Sequence, residues 1–144
     1  MDEILNGKAV LVVDDTAVMR MLVTDILAAV GVRILEADSG ESALQMARDN
    51  AVDAFLLDMR LGDMNGIELC RALRGMAQYR SAPIIFVTAV DQREVLQWAF
   101  EAGADDFIQK PLHAMVLRRR LGNLLQKAAY LKQLESMNPS QRRE

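Results

Sequence analysis

Five short runs with strand character, four of them closing on a polar residue and each followed by a segment with helical spacing, constrain this chain more than any other feature. The runs cover 9–13, 32–37, 54–57, 84–87 and 106–109. The first, third and fourth are continuously apolar, which suits strands buried on both faces. Between them Val18, Met21, Leu22, Ile26 and Leu27 recur at helical spacing, as do Ala43, Leu44 and Ala47 behind Ser39 as a cap, and Ile67, Leu69, Cys70 and Leu73. Further helices are predicted over 92–102 and from Pro111 onward, and Gly31 and Gly103 act as stops. Strands alternating with helices in this way give an α/β fold: a doubly wound parallel sheet with helices on both faces, because each crossover is right-handed.

In such sheets ligands collect at the carboxyl ends of the strands. Asp14 and Asp15 close the first run, Asp58 the third, Thr88 the fourth and Lys110 the fifth. Acids after a strand are commonly helix caps, and Asp14, Asp15 or Thr16 alone would be read that way. The same kind of position recurring on four strands calls for a shared site instead.

Three converging carboxylates repel one another unless a cation stands between them. Magnesium fits, since it favours oxygen ligands and is usually held by one or two carboxylates together with phosphate oxygens. Asp15 and Asp58 are the expected direct ligands, Asp14 binds directly or through water, and the backbone carbonyl of Arg60 completes the protein's share. A carboxylate is also a nucleophile toward phosphorus and yields an aspartyl phosphate. Lys110 supplies an ammonium for the transferring group, Thr88 a hydroxyl for one of its oxygens, and the Lys110–Pro111 bond is a plausible cis peptide that aims the lysine inward.

The chain has 144 residues, a formal charge of −3 and about half hydrophobic residues, which fits one compact domain with an appendage. Cys70 is its single cysteine, so an internal disulfide and a cysteine-based zinc site are excluded and a reducing cytoplasm is expected. No apolar stretch approaches the roughly 20 residues of a membrane span, and the first eight residues do not resemble a secretory signal. Direct nucleic-acid binding is not expected, because the run Arg118, Arg119, Arg120 is short and the net charge is negative. His113 has no ligand partners in the sequence, and Trp98 on the fourth helix reads as core before contact.

The runs VLVVDDTAVMR, AFLLDMRLGDMNGIEL, PIIFVTA and GADDFIQKP resemble, in order and separation, the signatures of the receiver domain of two-component response regulators. The resemblance spans roughly residues 8–125 and implies the flavodoxin-like strand order 2-1-3-4-5, an order that spacing alone does not supply. It implies that Asp58 accepts phosphate from a sensor histidine kinase or a histidine phosphotransfer protein, that Asp14 and Asp15 hold magnesium, and that Lys110 pairs with the phosphate. Thr88 becomes the switch hydroxyl and Phe107 the aromatic switch, acting on the surface of the fourth helix, fifth strand and fifth helix. Gly62 departs from the family, which often has proline there, and a more mobile loop is expected. Arg60 and Val90 stand where the family varies.

Two other classes fail on the residues. A haloacid-dehalogenase-type phosphatase needs a second acid two residues after its nucleophile, where Asp14 has Thr16 and Asp58 has Arg60. A flavin- or dinucleotide-binding module needs a Gly- or Ser/Thr-rich loop after the first strand, where Asp14 and Asp15 stand. The chain is therefore read as a regulatory domain, not an enzyme, with a receiver over 1–126 and a helical extension and linker over 127–144. Leu117, Leu121, Leu124, Ala128 and Leu131, widened by Leu125 and Leu134, form a stripe suited to pairing with a second copy. In that reading the arginine run is solvated or pairs across the dimer. Asn138, Pro139 and Ser140 break the helix as a hinge toward an output module, such as a cyclic-dinucleotide enzyme, and the chain is either a stand-alone regulator or the front of a longer protein.

Overall fold

A computed structural model describes residues 2–137. Its elements run α1 (Asp2–Leu5), β1 (Ala9–Val13), α2 (Ala17–Ala28), β2 (Arg33–Ala37), α3 (Gly40–Asp49), β3 (Ala54–Leu57), α4 (Gly66–Arg74), β4 (Ile84–Thr88), α5 (Arg93–Glu101), β5 (Asp106–Gln109) and α6 (Ala114–Ser136), with one 3-10 turn at Ala77–Tyr79. The five strands are parallel in the order β2-β1-β3-β4-β5. Parallel neighbours need a crossover connection, and the helices supply it on both faces.

Side chains of successive strand residues point to opposite faces. Leu11, Val13, Phe55, Leu57, Ile84 and Phe86 therefore pack with α3, α4 and α5, while Val10, Val12, Leu56, Ile85 and Val87 pack with α1, α2 and α6. The register aligns the strand ends: Val13 lies beside Ala37 and Leu57, Leu57 beside Phe86, and Thr88 beside Gln109. Residues that follow these ends, Asp14, Asp58 and Lys110, are thereby delivered to one edge.

Several expectations are corrected by the packing. The last helix begins at Ala114 and not at Pro111, with His113 as its exposed N-cap residue. In α2 the buried residues are Val23, Ile26 and Leu27, whereas Val18, Met21 and Leu22 face outward. The helix is apolar around most of its circumference, so spacing alone does not select the core face. Trp98 is 52% exposed and not core. In α6 the early part of the stripe covers the sheet, as its place after β5 requires: Leu117, Leu121 and Leu125 are buried and Leu124 packs partly against the same cluster, which leaves Ala128, Leu131 and Leu134 beyond it. Arg118 donates to the Ile26 carbonyl at 2.8 and 3.0 Å and Arg120 to the Phe107 carbonyl at 2.9 Å, so both are engaged within the chain. The break at Asn138, Pro139 and Ser140 lies outside the described residues.

Helix α1, which no periodic pattern announces at four residues, packs its Leu5 into the core and lies against α6. Cys70 is buried, and burial pushes its thiol up to about 11, as expected of a small packing residue and not a reactive one.

Candidate functional site: an acidic pocket bridged by a lysine

At the carboxyl edge of the sheet, Asp14 and Asp58 are only 5% and 8% exposed, and Thr88 1%. Two nearly buried carboxylates would repel strongly without a counter-charge. Lys110 provides it: its Nζ donates to Asp14 Oδ2 at 3.0 Å and to Asp58 Oδ2 at 3.2 Å. Burial of the ammonium pulls its pKa down, but the hydrogen bonds and charges of Asp14 and Asp58 outweigh that loss and hold it above the ordinary lysine value. The lysine is aimed from the end of β5 by the Lys110 N–H, which donates to the Thr88 carbonyl at 2.9 Å, and it precedes a cis bond to Pro111.

Each carboxylate is further fixed by the backbone. Asp14 Oδ1 accepts from the Thr16 N–H at 2.9 Å, and Asp58 Oδ1 from the Met59 N–H at 2.6 Å. Asp15 is exposed, and its Oδ1 accepts only a 3.3 Å bond from the Thr16 hydroxyl. Carboxylate oxygens of Asp14, Asp15 and Asp58 lie within 4.8 Å of one another. This all-oxygen donor set fits a hard divalent cation such as magnesium. Asp14 already has a donor on each oxygen, which leaves Asp15 as the least engaged member of the set.

The loop after Asp58 is tied down at several points. Gly66 donates to the Met59 carbonyl at 2.8 Å, and Arg60 forms an isolated antiparallel bridge with Asn65. A side chain on Gly66 would collide with the Asp58 carbonyl oxygen and the Phe86 ring, so glycine is what allows α4 to start directly beneath the acid. Gly62 takes φ +84°, a conformation closed to proline. Beyond it, Asp63 accepts from the Gly40 and Glu41 N–H groups at 2.9 Å each and so fastens the loop to the start of α3. These bonds hold the Asp63 carboxyl below the usual range.

Thr88 Oγ1 accepts from the Val90 N–H at 3.3 Å, and Phe107 stacks on Phe86 with ring centroids 6.5 Å apart. Phe107 also lines a groove of about 320 Å³ with Asp91, Leu96, His113, Val116 and Arg120. The sequence reading missed Arg20, whose Nη1 donates to the Asp14 carbonyl at 2.7 Å, and Asp63. Both act through bonds to main-chain atoms of other segments, which leave no periodic or compositional trace.

A five-stranded 2-1-3-4-5 parallel sheet with an acidic pocket and a lysine at its carboxyl edge places a ligand site where doubly wound folds of this kind carry one. Residues 10–122 match the response regulator receiver domain family, and the chain belongs to it. Magnesium and an aspartyl phosphate are general features of that family. The chain is 31% identical over 119 residues to chemotaxis protein CheY of Pseudomonas aeruginosa, an alignment covering 82% of this chain and 96% of that one. It is 35% identical over 122 residues to the cyclic di-GMP phosphodiesterase response regulator RpfG of Xanthomonas campestris, covering 83% of this chain but only 32% of that protein. Among solved structures, the receiver domain of sensor histidine kinase PA1611 of Pseudomonas aeruginosa superposes with a TM-score of 0.78 at 28% identity, over 83% of this chain and 98% of that one. That structure has magnesium coordinated in its active-site cleft. Among the described residues no helix is long and apolar enough to cross a membrane.

Proposed function

We propose that this receiver is a cytoplasmic switch that takes a phosphoryl group onto Asp58 from a sensor histidine kinase or a histidine phosphotransfer protein. The observation that carries the reading is the Lys110 ammonium held between Asp14 and Asp58 at 3.0 and 3.2 Å beside a third carboxylate. An Asp58 oxygen attacks phosphorus, and the O–P bond forms as the N–P bond to the donor imidazole breaks. The imidazole nitrogen keeps that electron pair and is protonated from solvent. Asp15 and Asp58, with Asp14 directly or through water and the Arg60 carbonyl, would hold magnesium, which when bound neutralises charge on the carboxylates and the phosphoryl group. Lys110 would supply a further positive charge to the transferring group.

Support for a docking partner comes from α2, where Met21 and Val18 are 63% and 71% exposed and Leu22 40%. Such an apolar patch, on the helix that follows Asp14 and Asp15, suits a helical phosphodonor. Once phosphate is present, the Thr88 hydroxyl, which accepts from Val90 in the resting protein, moves to donate its hydrogen to a phosphoryl oxygen, and Phe107 turns inward. Two discrete packings of α5, β5 and α6 then exchange dominance for a few kcal/mol. Beryllium trifluoride with magnesium tests this: amide exchange should change over 91–107. Changes confined to the loop after Asp58 would contradict the coupling.

The domain on this reading covers 1–126, and residues from 127 on form an extension toward a second copy and an output module. Ala128 and the exposed Leu131 supply the seam. The length of the RpfG relative is in keeping with an output module in the same protein, a cyclic-dinucleotide enzyme being one such class. Intact chain should show an increased mass by light scattering on beryllium trifluoride treatment, and chain ending at Gln126 should not. Monomers in every condition at high concentration would contradict pairing through α6.

A further inference from the structure

We infer that Arg20, on the first turn of α2, is a positioning residue that sets where the Asp15 carboxylate stands for metal binding. The inference rests on reading the acidic pocket as a magnesium site. Asp14 follows the last residue of β1: its N–H still donates to the Ala37 carbonyl of β2 at 3.2 Å, while the donor to its own carbonyl is a side chain. Arg20 Nη1 donates to that carbonyl at 2.7 Å. The same guanidinium is anchored on its other side, where Nε donates to Glu36 Oε1 of β2 at 3.2 Å. Arg20 is itself placed by its N–H, which donates to the Thr16 carbonyl at 3.1 Å in the first turn of α2.

The clamped carbonyl belongs to the peptide that joins Asp14 to Asp15, so holding it restrains the plane that carries the Asp15 Cα and narrows the directions open to the Asp15 side chain. This matters most for Asp15. Asp14 and Asp58 are held by backbone N–H groups and Lys110, whereas the Asp15 side chain has only the 3.3 Å hydroxyl contact. A planar two-pronged donor can hold the carbonyl and the Glu36 carboxylate together, and a lysine, with one point of charge, holds them less well.

A positioning role and a charge role predict opposite signs. The guanidinium is a cation beside a cation site, so by charge alone its removal strengthens metal binding. As a positioning residue its removal weakens metal binding, by about 10-fold or more as for other groups that orient metal ligands. The test is manganese binding to the full chain by electron paramagnetic resonance, for the wild type, R20A and R20K, with thermal melting in chelator to confirm folding. The expected result is weaker binding in R20A and a smaller loss in R20K, although R20K keeps the charge. Unchanged or tighter binding in both variants overturns the inference. If R20A fails to fold, R20K decides: wild-type affinity overturns the role and weakened affinity supports it. Absence of manganese binding by the wild type would overturn the metal reading itself, a result separable from equal binding by all three proteins.

Discussion

Replacing Lys110 with methionine is expected to destabilise the metal-free protein by about 3 kcal/mol, near the low end for removing one partner from a buried ion pair. The low end applies because Lys110 keeps some contact with solvent, with 18% of its side chain exposed. The loss arises less from the missing bonds than from Asp14 and Asp58, left nearly buried with their charges uncompensated. Magnesium should therefore restore much of the lost stability in K110M, and more than it adds to the wild type. Phosphorylation by a small donor should still slow by about 100-fold or more, since an ammonium aimed at the transferring group is absent even when the metal is present. Urea denaturation with and without magnesium, together with the rate of labelling by phosphoramidate, checks both parts. A variant as stable as the wild type in chelator would show that the two acids do not depend on Lys110.

The separation between stability and rate in that prediction follows from how the site is built. Parallel strands in register bring Asp14, Asp58 and Lys110 to one edge, and the edge would be unstable without a cation of some kind. The lysine serves the resting protein by compensating the charge of two acids that the fold holds close together. On the proposed reading it serves the phosphorylated protein by pairing with the new dianion.

Much of this was legible in the sequence because it lies in strand ends. A short apolar run that stops at an acid or a lysine states both the element and the edge to which the polar residue goes, and the five runs are found within a residue of where they were read. Faces of helices were less legible. Val18, Met21 and Leu22 share the spacing of core residues but face outward, because α2 carries apolar residues on nearly every side and the sheet takes only Val23, Ile26 and Leu27. The start of α6 was misplaced because Pro111 is a common first helical residue, whereas Leu112 and His113 here precede the helix after the cis bond. Arg20 and Asp63 were invisible as site residues. Each reaches main-chain atoms of another segment, Arg20 the Asp14 carbonyl and Asp63 the amides of Gly40 and Glu41, and such contacts exist only once the fold has formed.

Among three clustered carboxylates, only Asp58 is proposed to accept the phosphoryl group. Asp15 is the more exposed acid of the cluster, and Asp14 is as deeply placed as Asp58, so the assignment can fail in a definite way. Asp58 alone among the three follows β3 at the centre of the sheet, with Lys110 on one oxygen and the start of α4 directly below it. Asp58→Asn keeps the shape and removes the nucleophile. The direct measurement is intact mass after incubation with phosphoramidate and magnesium, for the wild type and D58N, each repeated in chelator. A single added phosphoryl group is expected on the wild type with magnesium, none on D58N and none in chelator, whereas equal labelling of D58N would place the acceptor on another residue.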